Sequence, residues 1–506
     1  MKVNIIGGGV AGLAVGIYLQ KNGFETEVFE QHTVPGGLCT GWKRGDYTFN
    51  GCMHWLLGSG EGIAFNTFWN EILDLSQLEF VLHEERVQFD VPDLKDRHGN
   101  SVFHFYNEID QFEKYMLDIA PEDEKMIRYW MDQVRYVGQY LDCLPPAFYD
   151  ESFIASTRRN MHLIKLLPMV YFMFKWSKLT NYQFAENFKN PFLRKAITLL
   201  YEKEVRMPIL FFVQCYANKH VAGYPIGSSL HFAKKLAESY QQHGGKLTLG
   251  QCVNSIDIEE GRAVGLRMED NTQRPCDYVV SAADWRWTIF RALGEKYATK
   301  EQMFYKNPPK ESIFYSYCIL YLGVDLDLKK YPHFIRYSLE NPIFSPDGTS
   351  YDRLEVHVYN YDPTLAPEGK VTIAVDFQTR EGEFWINLRK NDYPQYVQKK
   401  KEFQENILAE LEKKMSVLSG HIEVTDLTTP ASYHRYTGNT LGSSQGWTPQ
   451  DNVMKSIPLK PTVKGLDNVF LAGHWLVAGG GLPIALKSAR DTAWLLSKKA
   501  NGKFIV

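Results

Sequence analysis

The chain has 506 residues, too many for one simple core, so two or three domains are expected. Apolar residues make up 44% and charged residues 23%, as in a soluble globular protein, and a net charge of -3 gives no basic face for nucleic acid. The seven cysteines are widely spaced, with no C-x-x-C and no H-E-x-x-H, which argues against a disulfide framework and against a metal and favours reduced thiols in the cytoplasm.

Val3-Asn4-Ile5-Ile6 predicts a short buried strand. Gly7-Gly8-Gly9-Val10-Ala11-Gly12 follows, a G-x-G-x-x-G turn, and apolar residues at helical spacing from Ala11 to Leu19 predict a helix ending at Asn22-Gly23. A second strand, Glu25 to Phe29, ends at the acidic Glu30. In such a unit Gly7 makes the tight turn, Gly9 lets backbone approach a pyrophosphate, and Gly12 lets the helix pack against the strand. The helix N-terminus, with Ala11 in its first turn, offers unpaired N–H groups and partial positive charge to phosphates. Glu30 is placed to accept hydrogen bonds from ribose hydroxyls. A dinucleotide site is therefore expected. A second glycine pair, Gly36-Gly37, comes soon after. NAD needs no such loop, whereas the longer FAD runs past one, so FAD is the expected cofactor. No segment of signal-peptide type opens the chain, and no apolar run reaches the roughly 18 residues of a spanning helix.

These motifs, with Gly45-Asp46-Tyr47-Thr48-Phe49-Asn50-Gly51-Cys52-Met53-His54, resemble the FAD-dependent phytoene desaturase, carotenoid isomerase and retinol saturase family, within the wider amine-oxidase-like flavoproteins. This chain has Asn50 where Asp is usual and Leu38 where many relatives carry Arg, and the second departure sits better with the carotenoid and retinoid side than with amine oxidases. Three later stretches carry the same resemblance. One is Tyr224 to Leu230 with its following helix, leading to Val253, whose backbone the resemblance places against the adenine. Another is Asp277 to Asp284, a strand ending in small residues at Ala282. The third is Asn468 to His474, a strand running through Gly473, followed by Gly479-Gly480-Gly481-Leu482-Pro483. There a second helix begins, with proline where its missing N–H costs nothing, and the resemblance places Gly481, Leu482 and Ala485 at the flavin. His474 stands where relatives usually have an acid.

The implied fold is α/β. A Rossmann-like FAD-binding domain is assembled from the discontinuous segments 1–75, 216–290 and 422–506, beside an α+β substrate domain from 76–215 and 291–421 with a helical lid. Residues 152–185 hold no Asp or Glu, and Lys165, Lys175 and Lys178 flank many apolar side chains, so the part near 152–215 is expected to be helical and either a lid or a membrane-surface element. A cytoplasmic protein, or one peripheral at the inner membrane surface, is expected.

The resemblance implies an oxidoreductase that desaturates or saturates carbon–carbon bonds of a lipophilic polyprenoid, carotenoid or retinoid-like substrate. Two alternatives stay open: a redox-neutral isomerase of a similar lipid, and a non-catalytic lipid-binding flavoprotein. His54 is the first candidate for proton transfer, since imidazole titrates near neutral pH. Tyr47, Arg435 and Tyr436 are further candidates for the reaction cavity, the last two from Thr428 to Asn439. Gly58-Ser59-Gly60-Glu61-Gly62 lacks the last glycine of a second dinucleotide motif, so no NADPH domain is expected and the electron donor or acceptor is external.

Overall fold

A computed structural model describes residues 1–141, 167–201, 203, 205–448 and 459–506. Its first sheet has six strands, in the order Lys246–Leu249, Glu25–Glu30, Lys2–Ile6, Tyr278–Ser281, Leu466–Leu471 and Thr462–Val463. The first five are parallel, and Thr462–Val463 closes the edge antiparallel. Past Lys2 at its start, the central strand is apolar apart from Asn4 because both its faces are covered, as parallel sheets require. Asn4 itself is fully buried and donates to Arg274 O at 2.8 Å. The helix Val10–Lys21 is buried nearly all round, packed against Gly481–Asn501 on one side and Ser228–Gln242 on another.

Register fixes what this sheet does. Ile6 lies opposite Phe29 on one side and Ser281 on the other, and Ser281 lies opposite Leu471. The carboxyl ends of four strands therefore stop level, and the turns at Gly7, Glu30, Ala282 and Gly473 open at one edge. This is where open α/β sheets bind ligands.

The second sheet has seven strands, in the order Ile422–Thr428, Ser316–Val324, Val371–Thr379, Ser350–Val358, Phe334–Phe344, Glu85–Asp90 and Val102–Tyr106. One face buries Leu320, Leu354, Val356 and Phe377 against Trp385, Phe403 and Ile407 of the helices Gly382–Asn391 and Tyr393–Lys414. The other face carries Ile319, Asp376 and Glu355 side by side, with Ile319 opposite Asp376 and Glu355 opposite Asp376. The segment 422–506 thus begins in this second sheet and crosses to the first after Thr428. A third layer is helical: Ile109–Ile119, Glu124–Gly138, Pro191–Thr198 and Met207–Asn218 share one aromatic core around Trp130, Phe184 and Phe211. Residues 167–176 are helical and join it, while the basic residues expected at 152–166 lie outside the described residues.

Candidate functional site

A cavity of about 560 Å³ runs between the two sheets. At one end the turn at Gly7, with φ +97°, passes into the helix Val10–Lys21, whose N-terminal Gly9 has no side-chain cap. The N–H groups of that first turn are left for a ligand. Gly36 and Gly37, at φ +119° and +61°, fold a second loop against the first, and Gly36 N donates to Gly8 O at 2.9 Å. Gly12 sits below, where a β-carbon would lie 1.9 Å from Gly7 O.

Glu30 is buried beside these loops. Its Oε2 accepts from Gly8 N at 2.7 Å and its Oε1 from His32 N at 2.8 Å. Burial pushes its carboxyl up in spite of the N–H groups of His32 and Gly8. Two hydrogen bonds leave lone pairs for two hydroxyls.

The structure gathers Gly7, Gly9, Ala11, Glu30, Gly36, Gly37, Leu38, Val253, Ala282, Gly473, His474, Gly481, Leu482 and Ala485 on this one cavity wall. A second uncapped helix N-terminus, Gly481–Asn501 behind Gly480, also faces it. His474 Nε2 is buried there without a hydrogen-bond partner, and burial lowers its pKa to about 4, so the imidazole is neutral. Two dipole ends, an orphaned imidazole nitrogen, a bare glycine cradle and a buried carboxylate at the sheet edge fit FAD: Glu30 for the ribose, the Gly9 turn for the pyrophosphate, and the Gly481 turn for the ring.

The other end of the cavity is lined by Cys52, His54, Tyr317, Ile319, Asp376 and Tyr433. His54 Nε2 lies 3.4 Å from Asp376 Oδ2, and His357 Nε2 lies 3.5 Å from the same oxygen. The two imidazoles stack with centroids 4.0 Å apart and planes at 14°. Nearly parallel planes cannot both contain a shared ion, so although the three donors cluster within 4.8 Å, their lone pairs do not converge as metal ligands do. The arrangement suits proton sharing. Burial lowers His54, but the hydrogen bond and charge of Asp376 outweigh it and leave its pKa raised. Burial drives His357 well down, with His54 adding to the effect, so His357 is the neutral member. Burial keeps the phenols of Tyr317 and Tyr433 protonated.

Three residues sit differently from the expectation for the reaction cavity. Tyr47 lies outside the cavity, its ring packed in the core with Tyr321 and its phenol donating to Glu423 Oε2 at 2.6 Å. Arg435 is exposed and lies against the Tyr436 ring. Tyr436 does line the cavity, but at the Glu30 end, where its ring meets His32 edge-on at 5.0 Å. The helix Pro430–Thr437 points Tyr433 inward, and its later residues reach the cofactor mouth. Asp376, His357, Cys52 and Tyr317 were not singled out from sequence. A signal existed for two of them: His357 lies between Val356 and Val358 in the strand Ser350–Val358, and Asp376 between Val375 and Phe377 in the strand Val371–Thr379.

The description NAD(P)-binding Rossmann-like domain matches residues 5–72. The chain is 23% identical over 510 residues to a chloroplastic prolycopene isomerase of Arabidopsis thaliana, covering 94% of this chain and 79% of that protein. It is 23% identical over 533 residues to a 4,4'-diapophytoene desaturase (4,4'-diapolycopene-forming) of Methylomonas, covering 99% and 96%. Among solved structures, putrescine oxidase matches with a TM-score of 0.60 at 11% identity, covering 99% of both chains, a likeness of fold.

Proposed function

We infer that this chain is an FAD-dependent oxidoreductase of the carotenoid desaturase and isomerase family, acting on carbon–carbon bonds of a lipophilic polyprenoid, carotenoid or retinoid-like substrate. The observation that carries this reading is the continuity of one cavity, from a nucleotide cradle at Gly9 and Glu30 to an end where Ile319, Tyr317 and Tyr433 stand beside His54 and Asp376. Segments 1–75, 216–290 and 422–506 hold the cofactor in this reading, with Ile422–Thr428 lent to the second sheet. Segments 76–215 and 291–421 shape the substrate side.

FAD bound here supplies two-electron hydride transfer at its ring. The protein's share is orientation, dryness and one proton. Tyr317, Tyr433 and Ile319 hold a carbon chain and exclude water. His54, held through Nε2 by Asp376, keeps Nδ1 to exchange a proton with the carbon next to the one that exchanges hydride. His357 stays neutral and stacks on His54, which fixes the ring without adding charge.

A redox-neutral isomerase is the second reading, favoured by the similarity to prolycopene isomerases. Incubating FAD-loaded protein with an acyclic polyene, with and without a quinone acceptor, separates the two. Products differing from substrate by hydrogen, formed beyond one equivalent of flavin only with acceptor, support the oxidoreductase. Geometric isomers formed without acceptor sink it in favour of the isomerase.

Among the described residues no helix is long and apolar enough to cross a membrane. Leu167, Val170, Tyr171 and Phe174 are nonetheless 55–68% exposed, beside Lys175 and Lys178. Exposed rings on this helix, with Lys175 and Lys178 at its C-terminal end, suit insertion into an anionic lipid surface, from which a lipophilic substrate would enter.

A further inference from the structure

The Cys39 and Cys52 thiols belong to a feature that the proton chemistry above does not use. The hairpin Gly41–Arg44 and Tyr47–Asn50 pairs Gly41 with Asn50. The ladder continues one step further, where Gly51 N donates to Thr40 O at 2.9 Å. Beyond that pair the backbone turns, with Thr40 N donating to Leu38 O at 2.9 Å, and the flanking Cys39 and Cys52 bring their thiols into hydrogen-bonding contact. Two thiols in hydrogen-bonding contact are neighbours of the kind a disulfide joins.

The two sulfurs are unequal. Cys39 is 1% exposed, whereas Cys52 is open to the cavity, and both line it. Cys52 is two residues from His54, whose protonated form is favoured. The hydrogen bond from Cys39, then the His54 charge, hold the Cys52 thiol below its ordinary value against burial, while Cys39 is pushed up. An open, activated thiol backed by a buried partner is the layout of an attacking and a resolving cysteine. The other described cysteines, Cys215, Cys252, Cys276 and Cys318, are all free, and burial is the first cause raising each of them.

We propose that Cys39 and Cys52 form a reversible disulfide in the wall of the cofactor cavity, closed by a peroxide. Cys52 thiolate attacks one peroxide oxygen and, with one proton, gives the sulfenic acid and water. The Cys39 thiol then displaces hydroxide from that sulfur, giving the disulfide and a second water. Hydrogen peroxide takes two electrons and the dithiol loses two. The bridge ties the Gly36-Gly37 loop to the segment bearing His54. The proposal rests on the cofactor assignment only for the source of peroxide, which oxygen forms with reduced flavin.

The test supplies hydrogen peroxide directly, in small molar excess, to the full chain with and without added FAD. Free thiols are then blocked with N-ethylmaleimide, and the protein is digested without reduction for mass spectrometry. A Cys39–Cys52 linked peptide lighter by two hydrogens, absent after dithiothreitol, is expected in both preparations, so failure of the cofactor reading would leave it standing. Cys39→Ser is expected to stop Cys52 at a sulfenic acid that dimedone captures, and Cys52→Ser to leave Cys39 a blocked free thiol. Oxidation of Cys52 to sulfinic acid with Cys39 still free, or both remaining thiols while other cysteines oxidise, would overturn the proposal.

Discussion

Replacing Gly12 with alanine tests how the cofactor cradle is built. The new methyl would lie 1.9 Å from Gly7 O, 3.1 Å from Gly7 C and 3.4 Å from Ala282 Cβ. Non-bonded atoms settle at about 3.5 Å, so the start of the helix must back away from the turn by more than about 1 Å. Overpacking costs about 1–3 kcal/mol where side chains can yield. Here the first obstacle is backbone, so the upper end applies. The atoms displaced are the N–H groups that face the pyrophosphate, so the loss falls on FAD binding. About 3 kcal/mol is roughly a hundredfold in Kd. Gly23→Ala, near the other end of the same helix, is the control. It has φ +80° but nothing within 4 Å of a β-carbon. It should cost on the order of 1 kcal/mol of stability and leave FAD affinity alone. Flavin fluorescence titration and thermal melts with and without FAD read both effects. Gly12→Ala protein that binds FAD as tightly as the parent would refute the reasoning.

Three further outcomes follow from the site and its surroundings. Asp376→Asn removes the group that holds His54 up against burial, so the His54 pKa falls. His54 must be unprotonated to take the substrate's proton, so the acidic limb of the pH profile for single-turnover flavin reduction should move to lower pH, with partial return in Asp376→Glu; an unmoved limb would remove His54 from proton transfer. His83 is stacked on His333 at 3.5 Å, and burial lowers it from 6.5 to about 4. The denatured chain takes up this proton below pH 6.5 while the folded chain refuses it until about 4, so stability falls as pH drops through that window. The slope is up to about 1.4 kcal/mol per pH unit for each such histidine, and denaturant melts of His83→Phe should be flatter there. Tyr171→Ser with Phe174→Ser should weaken binding to anionic phospholipid vesicles tenfold or more, since each inserted ring contributes about 1.5–3 kcal/mol; unchanged partition in a flotation assay would assign that face to something other than lipid.

The Rossmann-like unit was legible because its signals are local. Strand, Gly7-Gly8-Gly9 turn, helix and Glu30 lie within one short stretch, and Gly7, with its positive φ, and Gly12, against Gly7 O, answer steric demands that G-x-G-x-x-G spacing encodes. The Gly36-Gly37 loop could be read for the same reason. His54 stands out in the sequence by its nearness to that loop. The partners of His54 were not legible by spacing, because Asp376 and His357 reach it only through the pairing of Val371–Thr379 with Ser350–Val358 in a sheet assembled from distant segments. Tyr47 misled because alternation within a four-residue strand does not say which of two sheets will cover each face. The Pro430–Thr437 helix misled for a related reason: Tyr433 and Tyr436 share a face at helical spacing, yet the cavity is long enough that one meets its reaction end and the other its ribose end.

The most direct test of the central claim is the flavin itself. The full chain is purified anaerobically, its visible spectrum recorded, and the cofactor released by denaturation and identified by mass spectrometry. The account predicts an oxidised-flavin spectrum on exposure to air and release of FAD in near-equal amount to protein, with the flavin bleached when a bound polyene is desaturated. A colourless protein that takes up no added FAD would contradict it and leave the cavity between the two sheets without its proposed occupant.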